Sequence, residues 1–170
     1  MELLIPGLIL VALMVWTSTR IKRNAAAAFE PETIETGAYV LEKPDGFLHV
    51  LNDETDRDLL AYSKEYGPGD LKGDRKATIE IRILTTTIDS RIGQLKTDNR
   101  LVGSVETFLD GGERAAILQA EPSEDSETIS FYKLVTRGSR LFELRFTVLR
   151  DFEDEFAEQR EFVFRGFMAK

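Results

Sequence analysis

One histidine, His49, and no cysteine limit the chemistry open to this 170-residue chain. A single imidazole excludes multi-histidine metal sites. The missing thiol excludes thiolate zinc, iron–sulfur clusters, disulfides and cysteine nucleophiles. His49 lies between Leu48 and Val50 on a predicted strand, where a structural or surface role is commoner than that of a base, and no nucleophile-elbow sequence offers it a serine. Gly67-Pro68-Gly69 and Gly111-Gly112 are turn signals without phosphate-loop or dinucleotide spacing. Carboxylates remain. Glu121-Pro122-Ser123-Glu124-Asp125-Ser126-Glu127 and Asn52-Asp53-Glu54-Thr55-Asp56 are acid-rich, but neither has the ordered spacing and central glycine of a calcium loop. A solvated acidic turn is the expected reading of each, and a metal-dependent hydrolase the remote alternative. No cofactor and no resident metal are expected.

Composition narrows the partners. With 22 Lys and Arg against 30 Asp and Glu, the formal charge is −8, which argues against a broad nucleic-acid surface. An apolar fraction of 42% in a chain of this length fits one folded domain. Arg91, Lys96, Arg100 and Arg114 are a scattered basic counterweight, and Tyr62, Tyr66 and Tyr132 are candidate interface anchors.

The N-terminus carries the strongest signal. From Leu3 to Thr19 no residue is charged, and such a run spans roughly 25 Å as a helix. Leu3, Leu4, Ile5, Leu8, Ile9, Leu10, Val11, Leu13 and Val15 favour insertion, and Trp16 stands where an interfacial aromatic belongs. An uncleaved membrane helix is the preferred reading over a cleaved signal or a buried core helix. The segment before the run holds Glu2 and no basic residue, unlike a signal peptide. Arg20, Lys22 and Arg23 follow the run. They suit anionic headgroups and, by the positive-inside rule, place the C-terminal body in the cytoplasm. The expected organisation is an anchor over residues 1–23, a linker over 24–37 and a soluble α+β domain over 38–170.

Beyond Gly37 the apolar period becomes two. Ala38–Lys43 and Phe47–Leu51 read as strands around Pro44-Asp45-Gly46. Ala77, Ile79, Ile81 and Ile83 alternate with Thr78, Glu80, Arg82 and Leu84; Phe142, Leu144, Phe146 and Val148 alternate with Glu143, Arg145 and Thr147. Two hairpins are expected, Leu101–Leu109 with Arg114–Glu121 and Ile129–Val135 with Leu141–Leu149. Helices are expected from Thr55 to about Tyr66, from Ile88 to Asp98, and from an Asp151 cap to the C-terminus. The last has an apolar stripe of Phe152, Phe156, Val163, Phe164 and Phe167, with Phe162 off it.

This order, a strand (ATIEIRI), a helix (SRIGQLK), two hairpins and a closing aromatic helix (DFEDEFAEQREFVFRGF) over about Ala77 to Phe167, resembles the PsbP-like superfamily. The resemblance implies an antiparallel sheet sandwiched by helices, α/β/α in layers, and a domain that works by binding rather than catalysis. It carries over no ligand-site residue. The expected protein is therefore a single-pass accessory or scaffold subunit at a bacterial-type inner membrane, whose body binds a partner in an integral membrane complex. A periplasmic or lumenal ligand-binding domain on the same anchor is the alternative.

Overall fold

Alternation of apolar and polar residues every second position builds the centre of the molecule. The computed structural model describes residues 4–51, 55–66, 74–122 and 126–170, without the side chains of 4–12, 22, 24, 25 and 74. A helix α1 (Leu4–Ala27) leads into β1 (Glu32–Glu35), β2 (Tyr39–Lys43), β3 (Phe47–His49), β4 (Leu59–Ser63), β5 (Glu65–Tyr66), β6 (Asp74–Arg75) and β7 (Ala77–Leu84). Then come α2 (Ile88–Asp98), β8 (Arg100–Asp110), β9 (Glu113–Glu121), β10 (Thr128–Arg137), β11 (Arg140–Leu149), α3 (Ala157–Gly166) and β12 (Met168–Ala169). A seven-stranded antiparallel sheet has the order β3-β4-β7-β11-β10-β9-β8; a smaller sheet is β1-β2-β12.

Each face of the large sheet has its own core. On one, Ile79, Ile81, Phe131, Phe142, Leu144, Phe146 and Val148 pack with Leu41 and Tyr39 of the small sheet and with Phe156, Val163 and Phe167 around α3. Each such side chain contributes about 1.5–3 kcal/mol on full burial. Phe47 meets Phe146 and Phe156 at ring separations of 5.9 and 5.8 Å. On the other face Ile88, Ile92 and Leu95 of α2 settle over Ala116, Leu118, Ala120, Leu134 and Leu141. The alanines of β9 leave room for the helix. Thr87 caps α2 by accepting the Ser90 N–H at 3.2 Å.

Both hairpins and α2 stand where the sequence places them, and four expectations change. Residues from Thr55 to Tyr66 are not a helix but the strands β4 and β5. Leu59, Ala61 and Ser63 are buried on one face while Leu60 and Tyr62 are half-buried on the other, so the strand is apolar on both sides and its period is hidden. Asp58 does not close a capping box; its carboxylate accepts the Ile83 N–H at 2.8 Å. Within the stretch read as a linker, Glu32–Glu35 pairs with β2, Ile34 opposite Leu41. The closing helix begins at Ala157, after a 3-10 turn at Arg150–Phe152, with Phe156 rather than Asp151 at its cap. It ends at Gly166, and Met168–Ala169 turns back to pair with Val40 and Tyr39.

Among the described residues no helix is long and apolar enough to cross a membrane. The side chains of Leu4, Ile5, Leu8, Ile9, Leu10 and Val11, and the whole of Leu3, lie outside those residues, as does the side chain of Lys22. The transmembrane expectation falls largely on them.

The junction between α1 and the body is built around a buried cation. Lys43 is 1% exposed, and its Nζ donates to the carbonyls of Phe47 at 2.7 Å, Glu30 at 2.5 Å and Ala28 at 3.4 Å. The Gly46 N–H adds a bond to the Phe29 carbonyl at 2.8 Å, and Lys64 lies over the Phe29 ring at 5.2 Å. Burial pulls the Lys43 pKa down, against the raising pull of Glu32 and Asp45. Lys43→Met keeps the aliphatic stem and strands three carbonyls. It should destabilise the fold by about 2–3 kcal/mol, read as a lowered urea midpoint of the full chain in detergent. An unchanged midpoint would show that the junction contributes nothing to the fold.

Candidate interaction face

The face of the large sheet that carries α2 is only partly covered by it. α2 packs on β8, β9 and β10; beyond it, β7 and β11 present their polar set. The pairing of these strands sets Glu80 opposite Arg145 and Arg82 opposite Glu143, so charges of opposite sign meet across the ladder. Glu80 accepts from Arg57 at 3.2 Å and from Arg145 at 2.5 Å, and Arg82 stands 3.9 Å away. Glu143 accepts two bonds from Arg91 of α2, at 2.5 and 2.9 Å, and that hydrogen bond is the main cause raising the Arg91 pKa.

Exposure separates the two signs. The Glu80 and Glu143 side chains are 9% and 2% exposed, those of Arg57, Arg82 and Arg145 25%, 30% and 31%, and that of Arg91 17%. Carboxylates form the floor and guanidiniums the surface. Among the described residues, four arginines stand over two buried glutamates, so a chain of net negative charge gathers cationic side chains here. The face continues into hydroxyls: Thr78 lies opposite Thr147 and Tyr62, Ser130 and Thr147 are bonded at 2.9 Å, and the Arg75 guanidinium lies 4.1 Å from the Tyr62 ring centre.

Other sequence candidates are scattered. Of the tyrosines, Tyr62 is on this face, Tyr132 is 3% exposed, and Tyr66 packs edge-on against Phe152 at 5.1 Å, where a cleft of about 420 Å³ also takes in Ser126, Glu127 and Arg150. Arg100 and Arg114 pair with Glu121 and Asp89 at 3.2 and 2.6 Å, whereas Lys96 is exposed. Glu121 is no solvated acid: it is 3% exposed and also holds Arg150 at 3.1 Å. Asn52, Asp53, Glu54, Ser123, Glu124 and Asp125 lie outside the described residues. Among the described residues no cluster of three or more His, Asp or Glu is placed to hold a metal ion. Leu13, Val15 and Trp16 of α1 are 54%, 61% and 57% exposed, and Arg20 and Arg23 are exposed on the same helix.

The arginine face was half visible in advance. The alternation of β7 and β11 marks Glu80, Arg82, Glu143 and Arg145 as one face. Arg57 and Arg91 join through tertiary structure, and nothing local announces it.

Two predictions follow from these environments. Glu143→Ala removes the partner of Arg91 from a buried site and should cost about 3–5 kcal/mol, whereas Arg114→Ala at the exposed Asp89 pair should stay within about 1 kcal/mol; equal unfolding midpoints for the two variants would contradict the account. His49 is half-buried, and burial lowers its pKa from 6.5, Lys43 adding to and Glu32 opposing the shift. The unfolded chain therefore binds the proton more readily, so stability contributed by neutral His49 is lost as pH falls through about 6.5 and below. In His49→Gln the slope of stability over that window should flatten; an unchanged slope would refute the assignment.

Comparison with known proteins yields fold relatives alone. No family model matches the chain, and no curated protein sequence matches it. Among solved structures, cyanobacterial PsbP (CyanoP) from Synechocystis sp. PCC 6803 superposes with a TM-score of 0.59 at 14% identity, covering 84% of this chain and 94% of that one. LpqN of Mycobacterium tuberculosis, described as involved in cell envelope biogenesis, gives 0.59 at 17% identity, with 83% and 91% covered. The Ran-binding protein Mog1p of Saccharomyces cerevisiae gives 0.50 at 10% identity, with 82% and 95% covered. At these identities the likeness is one of architecture, and what it shows is that this chain has a PsbP-like fold.

Proposed function

We propose that the protein is a membrane-tethered, non-catalytic accessory or scaffold subunit at the cell envelope, whose PsbP-like body binds a partner protein of a membrane complex. The observation that carries the reading is the junction. The sequence is uncharged from Leu3 to Thr19, α1 begins at Leu4, and that helix passes within one residue of its end into a body locked on by Lys43. Leu13, Met14, Val15, Trp16 and Ile21 are 54–67% exposed, and the Thr17 and Thr19 hydroxyls donate back to helix carbonyls at 2.8 Å. Both features suit a lipid surrounding, where apolar side chains face outward and hydroxyls find partners within the helix. Tethering raises the effective concentration of the body beside its partner, so a modest surface suffices for binding. The fold relatives support a binding role: one binds Ran, and another serves envelope biogenesis.

Orientation has two readings. Arg20, Lys22 and Arg23 after the apolar run favour a body in the cytoplasm; the envelope role of LpqN favours the opposite side. In a bacterial host the full chain should stay in the membrane pellet after alkaline carbonate washing. Fusions after Lys170 should give bright green fluorescent protein and silent alkaline phosphatase. Release by carbonate would refute the anchor, and active phosphatase with dark fluorescence would assign the body to the outer side.

A further inference from the structure

We propose that the arginine face of β7 and β11 is the docking site for an acidic segment of the partner protein, an extended stretch with carboxylates on alternate residues. The inference rests on the reading of the body as a binding subunit and names the chemistry of what it binds. Charge complementarity carries it. The chain has a formal charge of −8, yet here Arg57, Arg82, Arg91 and Arg145 stand outward over Glu80 and Glu143, whose side chains are 9% and 2% exposed. Asp58, which precedes β4, accepts the Ile83 N–H at 2.8 Å.

Geometry adds a spacing. Arg145 faces Glu80 across the ladder, and Arg82 is two residues along β7 from Glu80, so the two arginines are diagonal neighbours about 7–8 Å apart, somewhat less at Cβ. In an extended chain, side chains on one face repeat at about 6.5–7 Å. Alternate aspartates or glutamates would therefore meet Arg82 and Arg145 in turn, while Tyr62, Thr78 and Thr147 offer hydroxyls beside them.

Position favours protein over lipid. The end of α1 is held by Lys43 and Gly46, and the Lys43 strand belongs to the small sheet, which covers the opposite face of the large one. The arginine face thus points away from the layer that receives the anchor. Nucleic acid is disfavoured because so small a group of guanidiniums, already set against Glu80 and Glu143, releases too few counterions to offset repulsion from an acidic body.

The test uses the full chain in neutral detergent and a fluorescent twelve-residue peptide of alternating Asp and Ser, read by anisotropy. Binding should be saturable, should weaken several-fold between about 20 and 150 mM salt, and should be absent for the Lys-Ser counterpart. Arg82→Glu should weaken it about tenfold or more and Arg82→Gln about threefold, with unfolding midpoints near wild type for Arg82→Gln. Arg165→Glu, the same charge change on α3, should stay within about twofold. No binding by wild type, an equal loss in Arg165→Glu, or tighter Arg82-dependent binding of a single-stranded oligonucleotide or phosphatidylserine vesicles would overturn the proposal. Carbonate retention separates the two claims. Wild type that stays in the membrane but ignores the peptide refutes the docking site and leaves the tether, and peptide binding by a chain washed off the membrane does the reverse.

Discussion

Two carboxylates removed from water dictate the character of the open sheet face. A buried glutamate is tolerated only when cations and hydrogen bonds replace its hydration. Glu80 and Glu143 obtain these from arginines on four separate elements: the segment before β4, β7, α2 and β11. The glutamates fix where the guanidinium groups stand, and the long arginine side chains remain partly in solvent. A structural requirement of the fold thereby creates a positively charged surface. The same interaction ties α2 to β11 through Arg91, so the edge of the helix and the start of the open face are set by one ion pair.

Cations do comparable work on the opposite side. Lys43 gathers the carbonyls of Ala28, Glu30 and Phe47 and so fastens the end of α1 to the body. Lys133, buried in β10, donates to the Phe164 and Phe167 carbonyls at 2.7 and 3.2 Å and closes the C-terminal end of α3. In each case a lysine satisfies carbonyls that a helix or turn leaves without an internal partner. The result is a body with an apolar core on each side of one sheet, the junction with α1 on one side and a polar face on the other.

Much of this was legible because the relevant signals are local. Ile88, Ile92 and Leu95 recur at helical spacing, and α2 occupies the expected residues. Gly111, Gly112 and Gly138, at φ of 59°, 87° and 58°, turn the two hairpins where left-handed backbone is required. The errors share a cause in burial on both sides. Leu59 to Tyr62 is apolar without alternation because β4 lies between two neighbours with both faces covered or half-covered, and a short apolar run does not distinguish strand from helix. Asp151 and the acids after it resemble a helix start but form turns ahead of α3. β1 and β12 are too short to declare themselves, and β12 pairs with a strand more than a hundred residues away. For the candidate site, the alternation of β7 and β11 revealed which residues share a face. Which of them are buried carboxylates and which are exposed guanidiniums depends on how far α2 extends over the sheet, and no local pattern encodes that.

Photo-crosslinking in intact membranes tests the central claim most directly. A photoreactive phenylalanine analogue placed at Tyr62, on the arginine face, is compared with one at Phe162, which is 38% exposed on α3. The account predicts a discrete adduct from position 62, mapped to an acid-rich segment of another protein, and none of comparable yield from position 162. An adduct confined to position 162, or one from position 62 that maps to a stretch without carboxylates, would contradict it.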